Sequence, residues 1–412
     1  MYLLYNIILH IAAFLVGLLS IFSSKLKLFV QGRKVIYDRL AKSITTNDSV
    51  IWVHTASLGE YEQGLPLIDN IKVAYPEYKI VVTFFSPSGY EVKKNDPIAD
   101  AIVYLPLDTL SNAKKFITTL NPKLAIFVKY EIWPNHLKVL KDRNIPTLLI
   151  SAYFNKDHSF FKWYGSFMRK SLGAFTHFFV QDSTSKNLLE SIDYLNVTVS
   201  GDTRFDRVSE ILERDNTLHF MSVFKQNKTC LVAGSTWPEG EAFLKAYINN
   251  STTDLKYVIA PHNIIPDKIQ SLKKSINKSV ILFSEIEGKD ISNVDVLIVD
   301  TVGLLTKIYS YADIAYVGGG FSNGGLHNTL EPAVFGIPVI IGPLYKGFNE
   351  AEDLVQLKGL LTTSTKDEFT DAVNELLANS DFYGKTAQIN KEYVAKSKGA
   401  SIQITTYIRT LL

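Results

Sequence analysis

Two glutamates follow apolar runs in the first third of the chain and are candidates for chemistry. Glu60 lies in HTASLGEYEQG, directly after the run Val50–Val53. Glu131 lies in KYEIWPN, directly after the run Leu124–Val128. In doubly wound α/β proteins, ligands bind beyond the carboxyl ends of the strands. A carboxylate in such a loop suits a general base or a substrate-binding group.

Structural roles are the alternative for both glutamates. The spacing Ser57-x-x-Glu60 fits a capping box, in which Glu60 binds the backbone amide of Ser57. Pro134 suits the first turn of a helix, which leaves Glu131 in the preceding loop. Capping of that helix is the simpler interpretation of Glu131, so spacing alone leaves catalysis and capping open.

Two loops in the second half of the chain suit a phosphate or a nucleotide. In AGSTWPEGE, Ser235 and Thr236 offer hydroxyls and amides before a helix. GGGFSNGGLHNTLEP follows another apolar run, but it is neither a GxGxxG nor a Walker loop. Asn328 or Thr329 can cap the next helix, which places Glu331 in its first turn. Glu331 then either stabilises the helix dipole or accepts hydrogen bonds from a ribose diol.

Short apolar runs alternating with longer amphipathic segments must position these loops. Most runs are continuous rather than alternating, as in parallel strands that are buried on both faces. Two series of runs predict two doubly wound α/β domains, joined near residues 201–218. The predicted strands are Val50–Val53, Ile80–Phe84, Ala101–Tyr104, Leu124–Val128, Thr147–Ile150 and Phe178–Val180, then Cys230–Ala233, Tyr257–Ala260, Val280–Phe283, Val296–Val299, Ile314–Val317 and Val339–Ile341.

The composition excludes several classes of protein. Of 412 residues, 46% are hydrophobic and 20% are charged, which argues against a disordered chain. The net charge of +2 gives no basic excess of the kind that binds nucleic acid. Cys230 is the one cysteine, and the eight histidines form no HExxH-like pair, so we predict no disulfide framework and no metal site.

The first 24 residues contain no Asp, Glu, Lys or Arg, and they are long enough to span a bilayer. The basic residues follow this apolar run, whereas a cleaved signal peptide has them before it. By the positive-inside rule, the rest of the chain stays in the cytoplasm. We therefore predict an uncleaved anchor, with a buried core helix and an interfacial helix as alternatives.

A second segment, residues 155–170, mixes aromatic and basic side chains. Aromatic rings favour the level of the lipid headgroups, and Lys or Arg can bind lipid phosphates. The segment is equally compatible with an ordinary helix that packs Phe and Trp into the first domain.

Five motifs in order, HTASLGEYEQG, KYEIWPN, SGDTRFD, AGSTWPEGE and GGGFSNGGLHNTLEP, resemble the 3-deoxy-D-manno-octulosonic acid (Kdo) transferases of lipopolysaccharide synthesis. The resemblance covers nearly the whole chain. It implies the GT-B glycosyltransferase fold, with two Rossmann-like domains facing a central cleft. The implied division is a membrane anchor (1–24), an acceptor-binding domain (25–205) and a CMP-sugar-binding domain (206–412), whose last helix is a candidate to pack back on the N-terminal domain.

The resemblance also implies a role for each matching residue. Glu60 is implied as the general base, and Glu131 and Arg204 as stabilisers of the transition state. The residues expected to bind CMP are Ser235, Thr236, Pro261, His262, Val302, Gly303, Leu304, Asn328, Thr329, Leu330 and Glu331.

Three positions depart from the pattern of the family. Arg204 stands where Lys is common, which keeps the charge in a planar group. Leu304 ends a Val-Gly-Leu segment where Met-Gly-Glu is common, so a glutamate is missing. His262 stands where Arg is common, which puts one cationic phosphate contact in doubt.

The implied reaction is inverting transfer of Kdo from CMP-Kdo to the lipid A precursor, without a metal or another cofactor. The implied partners are CMP-Kdo, the lipid A precursor and lipids of the bacterial inner membrane, on its cytoplasmic side, and no nucleic acid. Two alternatives remain: another GT-B transferase or nucleotide-sugar epimerase, and a membrane-tethered nucleotide-binding protein without catalysis.

Overall fold

Two parallel β-sheets organise the computed structural model, which describes residues 1–322 and 325–412. The chain divides into two compact units, one of Met1–Arg207 with Lys398–Leu412 and one of Val208–Ser397. Both sheets are parallel and have a doubly wound strand order, which confirms the predicted α/β class. Asn323 and Gly324, two residues of the glycine-rich motif, lie outside the described residues.

The first unit contains a seven-stranded sheet in the order β3-β2-β1-β4-β5-β6-β7. Its strands are β1 (Val50–Thr55), β2 (Lys79–Phe84), β3 (Ala101–Tyr104), β4 (Pro122–Val128), β5 (Thr147–Ala152), β6 (His177–Val180) and β7 (Val197–Val199). Its helices are α1 (Tyr2–Leu19), α2 (Ser24–Lys34), α3 (Ile36–Ser43), α4 (Leu58–Ala74), α5 (Pro87–Lys93), α6 (Leu110–Leu120), α7 (Pro134–Asp142), α8 (Ser166–Leu172), α9 (Ser183–Glu190) and α10 (Thr203–Glu213), which runs across the division.

The second unit contains a seven-stranded sheet in the order β10-β11-β9-β8-β12-β13-β14. Its strands are β8 (Cys230–Thr236), β9 (Lys256–Pro261), β10 (Val280–Leu282), β11 (Val296–Ile298), β12 (Ile314–Val317), β13 (Val339–Ile341) and β14 (Leu360–Thr362). Its helices are α11 (His219–Lys225), α12 (Pro238–Asn250), α13 (Pro266–Lys274), α14 (Leu305–Ile308), α15 (Leu330–Ala333), α16 (Asn349–Leu357), α17 (Lys366–Ala378) and α18 (Ser380–Ser397).

Apolar residues on both faces of the strands explain why these sheets form the cores. All six residues of β1 are buried, and β4 is buried except at Lys123. Helices with one apolar stripe cover the sheets. In α6, for example, the buried residues recur at helical spacing: Ala113, Phe116, Ile117 and Leu120.

All twelve predicted strands are present, with ends shifted by at most three residues. The prediction missed β7 and β14, which have three residues each and are partly exposed. Such short edge strands carry too few apolar residues for a pattern to be recognised.

The C-terminal segment follows the second domain in sequence but belongs to the first unit, the position for which the sequence analysis gave its last helix as a candidate. Helix α19 (Ala400–Ile408) packs on α4, and its Ile404 and Ile408 are buried in the core of the first unit. The ring of Tyr407 lies 4.5 Å from the ring of His177 on β6. Gly399 and Ser401 donate backbone hydrogen bonds to Asp206 at the start of α10.

Helix α1 is attached to the first unit by hydrogen bonds and by ring contacts of Tyr2 and Tyr5 with Phe167, although none of its residues is buried. Tyr5 Oη donates to Asp108 Oδ2 at 2.8 Å. Asn6 Oδ1 accepts from Asn135 Nδ2 at 3.1 Å and from the Leu110 amide at 3.4 Å. By length and a mean hydropathy of 2.1, α1 could cross a membrane.

The segment 155–170 divides between the two interpretations that the sequence allowed. Phe160 is buried, and Phe161 and Met168 pack against the core. Trp163, in contrast, is 92% exposed, and Tyr164 is 59% exposed.

Deletion of residues 1–24 should leave the first unit folded, because α1 contributes no buried residue. Loss of the Tyr5–Asp108 hydrogen bond should lower the free energy of unfolding by about 1.5–3 kcal/mol, since its acceptor is charged. Thermal unfolding of the truncated protein measures both effects. A truncated protein that fails to fold would show that α1 belongs to the core.

Candidate active site

The strand order of the first sheet reverses between β1 and β4, which are adjacent and parallel. Loops after such a pair diverge and leave a crevice where ligands bind. Glu60 lies in the first turn of α4, after β1, and Glu131 lies in the loop between β4 and α7. Burial raises the pKa of Tyr130, and the charges of Glu60 and Glu131 raise it further. Both predicted carboxylates therefore act on one tyrosine at this edge.

Glu60 is held by two neighbours. The Ser57 hydroxyl donates to Glu60 Oε2, and Lys129 Nζ lies 4.0 Å from Glu60 Oε1. The Ser57 side chain makes no capping hydrogen bond to the helix, so the reciprocal capping box is not formed. The side chain of Glu60 is 15% exposed. A largely buried carboxylate with a fixed orientation is suited to accept a proton from a bound alcohol.

Glu131 lies beside a buried histidine that the sequence analysis did not consider. Its Oε2 is 3.7 Å from His54 Nε2, and its side chain is 17% exposed. His54 also accepts a hydrogen bond from Trp133 Nε1 at 3.0 Å. His54 and Trp133 both belong to the quoted motifs, but only the strand pairing brings them together.

Arg204 lies at the start of α10 and is paired with Asp202. Its amide donates to Asp202 Oδ1 at 2.9 Å and its Nε to Oδ2 at 2.8 Å. The buried Asp202 also accepts from Gln63 Nε2 at 3.0 Å, and Thr203 Oγ1 donates to the Gln63 carbonyl at 2.6 Å. The start of α10 is thus bonded to α4, the helix that carries Glu60.

The second sheet reverses its strand order between β8 and β12. Ser235, near the end of β8, has a left-handed backbone with φ +51°. A side chain on Gly318 would overlap with the Ser235 carbonyl, so only glycine allows the two strands to approach this closely here. Both loops predicted to hold a nucleotide therefore leave the sheet at its reversal point.

Glu331 and its neighbours lie at this same reversal point. Asn328 Oδ1 accepts from the Leu330 amide at 3.1 Å, and its Nδ2 donates to Glu331 Oε1 at 3.3 Å. The pKa of the buried Tyr309 is raised by burial and then by the charge of Glu331. Thr329 is buried and ends the loop before α15.

Tyr309 also shows how α14 joins this site. The Tyr309 hydroxyl and Leu305 pack against Gly234 of β8, and a side chain at position 234 would overlap with both. The Val302-Gly303-Leu304 segment precedes α14 in an exposed turn, with φ +91° at Gly303. The Val302 side chain is 83% exposed.

His262 is part of an aromatic cluster that the sequence analysis missed. Its ring stacks on Trp237 at 4.8 Å and lies 4.4 Å from the ring of His327. Trp237 Nε1 donates to His327 Nε2 at 2.8 Å. Burial, aided by His262, lowers the pKa of His327 to about 4, so His327 is neutral at pH 7.

A cavity of about 110 Å³ lies beside this cluster. Trp237, Pro261, Glu241 and Lys268 are among the residues that line it. Burial raises the pKa of Glu241, whose Oε1 accepts from Thr236 Oγ1 at 2.9 Å. The structure therefore brings Thr236 and Pro261 to one cavity.

The first unit matches a known family. Residues 31–207 match the family described as 3-deoxy-D-manno-octulosonic-acid transferase (kdotransferase). This range contains Glu60, Glu131 and Arg204. The candidate catalytic residues therefore all lie within the matched region.

Relatives match over most of the chain. A 3-deoxy-D-manno-octulosonic acid transferase of Aquifex aeolicus is 30% identical over 344 residues, or 82% of this chain and 88% of that one. The protein of the same name from Haemophilus influenzae is 29% identical over 367 residues, or 85% and 84%.

Solved structures show the fold. A UDP-GlcNAc 2-epimerase from Neisseria meningitidis has a TM-score of 0.63 at 16% identity, covering 88% of this chain and all of the other. A glycosyltransferase from Rickettsia africae has a TM-score of 0.57 at 13% identity, covering 89% and 98%. The fold is that of the GT-B proteins, and the chain belongs to the 3-deoxy-D-manno-octulosonic acid (Kdo) transferase family of glycosyltransferases.

Proposed function

We propose that the protein transfers Kdo from CMP-Kdo to the lipid A precursor lipid IVA, in the synthesis of the lipopolysaccharide core. The observation that carries this proposal is the position of Glu60 and Glu131. They follow β1 and β4, the adjacent strands at which the strand order of the sheet reverses. Family membership supports Kdo as the transferred sugar.

In the proposed mechanism, Glu60 accepts the proton of the attacking acceptor hydroxyl. The hydroxyl oxygen forms a bond to the anomeric carbon of Kdo while the bond to the phosphate oxygen breaks, and CMP leaves with the electron pair. The configuration inverts because Glu60 acts as a base rather than as a nucleophile. Glu131 and Arg204 stabilise the transition state, which has oxocarbenium character as in glycoside hydrolysis.

The geometry around Glu60 and Arg204 supports these roles. Ser57 fixes one oxygen of Glu60, while Lys129 lies 4.0 Å from the other. Asp202 binds Nε of Arg204 and so fixes the direction of its guanidinium group. Charged groups that are already oriented act on a transition state without reorganising.

The second unit supplies the proposed CMP site. Its residues are Ser235, Thr236, Pro261, His262, Val302, Gly303, Leu304, Asn328, Thr329, Leu330 and Glu331. Glu331 is the proposed acceptor for the ribose hydroxyls. Support comes from the reversal point between β8 and β12, where nucleotides bind in doubly wound sheets.

We further propose that α1 anchors the protein in the bacterial inner membrane, with both units on the cytoplasmic side. The exposed apolar surface of α1 supports an anchor, and Lys25, Lys27 and Lys34 are exposed after it. The exposed Trp163 suits the headgroup level of the same membrane.

The proposed reaction can be tested directly. Purified protein is incubated with CMP-Kdo and tetraacyl lipid A precursor, and the products are analysed by mass spectrometry. The expected result is an acceptor that has gained Kdo, together with free CMP. Binding of CMP without any turnover would instead favour a nucleotide-binding protein without catalysis.

Glu60→Gln should nearly abolish turnover while the protein stays folded. The amide oxygen still accepts from the Ser57 hydroxyl, so the free energy of unfolding should change by only about 1 kcal/mol. Glutamine cannot accept the proton, so kcat should fall by about 10²–10⁴-fold. CMP affinity should persist, because the proposed CMP residues belong to the second unit.

Glu62→Gln is the matched control for this experiment. Glu62 lies on the same helix and pairs with Arg207 and Lys93, at 3.2 and 3.3 Å. Its substitution should leave kcat near the wild-type value. Turnover of Glu60→Gln equal to that of Glu62→Gln would contradict the general-base assignment.

Glu331→Gln should weaken CMP binding, because an amide accepts hydrogen bonds from a diol less strongly than a carboxylate does. Bonds to a charged group contribute about 1.5–3 kcal/mol, which corresponds to a loss of affinity of about ten-fold or more. Calorimetric titration with CMP measures the change. Glu368→Gln, in the first turn of α17, is the control for the helix dipole. Equal CMP affinity in the two variants would show that Glu331 only stabilises the helix dipole.

Transfer should continue in excess EDTA. The donor carries a single phosphate, and a cation with helix N-termini can stabilise it as it leaves. Initial rates with and without the chelator, and after addition of magnesium, provide the measurement. Complete loss of activity that magnesium restores would refute metal independence.

A further inference from the structure

His54 is a fully buried histidine near the carboxyl end of β1, and its Nε2 lies 3.7 Å from Glu131 Oε2. Its Nε2 accepts from Trp133 Nε1 at 3.0 Å, and its Nδ1 lies 2.9 Å from Thr83 Oγ1. Trp52 Nε1 donates to the same Thr83 oxygen at 2.8 Å. A buried ring with both nitrogens bonded has a defined orientation.

The partners of His54 determine which of its nitrogens carries the proton. An indole N–H can only donate, so the bond from Trp133 requires an unprotonated Nε2. Nδ1 then carries the hydrogen and donates to Thr83 Oγ1. A doubly protonated ring would turn an N–H toward the Trp133 N–H. Burial lowers the pKa of His54, more than the nearby Glu131 raises it, which also favours the neutral ring.

The Trp133 indole links His54 to the loop that carries Glu131. Trp133 is two residues from Glu131 and directly precedes α7. Its ring also packs on Phe85, with centroids 4.7 Å apart. At the other end of the loop, the Lys129 amide donates to the Ile150 carbonyl at 2.9 Å. The loop is therefore held at both ends, and at the Trp133 end the hydrogen bond to His54 fixes the indole ring.

We propose that His54 is the positioning residue for the Glu131 carboxylate, which it holds in place through the Trp133 indole. Glu131 Oε2 lies 3.7 Å from His54 Nε2, beyond hydrogen-bond distance, so the imidazole acts on Glu131 through the loop. The inference rests on the proposed function only for the role of Glu131 in Kdo transfer.

His54→Leu and Trp133→Phe each remove this hydrogen bond and should lower kcat. Misplacement of a reacting group by about 1 Å can cost about 10²-fold, so we expect a loss of about ten- to hundred-fold in each variant. KM for CMP-Kdo should stay unchanged, because the proposed CMP residues belong to the second unit. The Phe variant keeps an aromatic ring, so it carries the test if His54→Leu fails to fold.

The double variant His54→Leu with Trp133→Phe provides the sharper test. Both single changes break the same bond, so the double variant should lose no more activity than the worse single variant. His54→Gln should recover activity to within about three-fold of wild type, because its amide oxygen can accept from the indole. Additive losses, or single variants within about three-fold of wild type, would overturn the proposal.

His177→Leu is the matched control. His177 lies on β6 of the same sheet, with its Nε2 2.9 Å from Thr198 Oγ1, and it packs on Tyr407. Its substitution removes a half-buried imidazole without touching the Glu131 loop. We expect loss of stability with kcat preserved. A loss of kcat in His177→Leu equal to that in His54→Leu would show that His54 only stabilises the fold.

A readout without turnover separates this inference from the proposed function. Nitrogen NMR of the side chains in the whole protein should show His54 with Nδ1 protonated and Nε2 unprotonated at neutral pH. The Trp133 indole resonance, assigned with Trp133→Phe, should shift in His54→Leu. A protonated Nε2 or an unmoved indole signal would overturn the inference. Failure of the wild-type protein to transfer Kdo would overturn the proposed function instead.

Discussion

The reversal of strand order between β1 and β4 is the constraint on which the candidate chemistry depends. Parallel strands bring all their carboxyl ends to one edge, and a reversal lets the loops of two neighbours diverge. Glu60 and Glu131 are 71 positions apart in the numbering, yet the charges of both raise the pKa of Tyr130 for this reason. The second sheet repeats the arrangement at β8 and β12, where the proposed nucleotide residues lie.

Buried polar groups support the first of these edges. Asp108 is 1% exposed and accepts from the amides of Asn135 and His136 at 3.0 and 2.8 Å, and from His136 Nδ1 at 2.5 Å. A carboxylate at the start of α7 also interacts favourably with the positive end of the helix dipole. Unpaired polar groups would be costly here, so each bond restricts the loop before α7 to few conformations.

The sequence predicted the fold class and the strands because buried parallel strands are continuous apolar runs. It predicted Glu60 and Glu131 as candidates because each follows such a run. It did not reveal that Trp133 bonds to His54, since that contact depends on the register of β1 beside β4. The capping box at Ser57 was a local expectation, and the Ser57 hydroxyl instead donates to Glu60.

The last helix and the cluster around His262 differ in how far the sequence predicted them. Residues 398–412 follow the second unit in sequence; the family resemblance gave the last helix as a candidate to pack on the first domain, and the packing of Ile404 and Ile408 places it there. His262 stands where arginine is common in the family, which put one cationic phosphate contact in doubt. The structure stacks its ring on Trp237, an aromatic contact that sequence spacing does not show.

Helix α1 shows how an apolar segment can be oriented without being buried. Apolar packing would have covered the surface that a lipid bilayer requires. Tyr5 and Asn6 instead bind Asp108, Asn135 and the Leu110 amide. Because Asp108 also caps α7, one carboxylate joins α1 to the helix that follows the Glu131 loop. The orientation of α1 relative to that loop is therefore set by these hydrogen bonds together with the ring contacts of Tyr2 and Tyr5 with Phe167, and most of its large apolar side chains remain exposed.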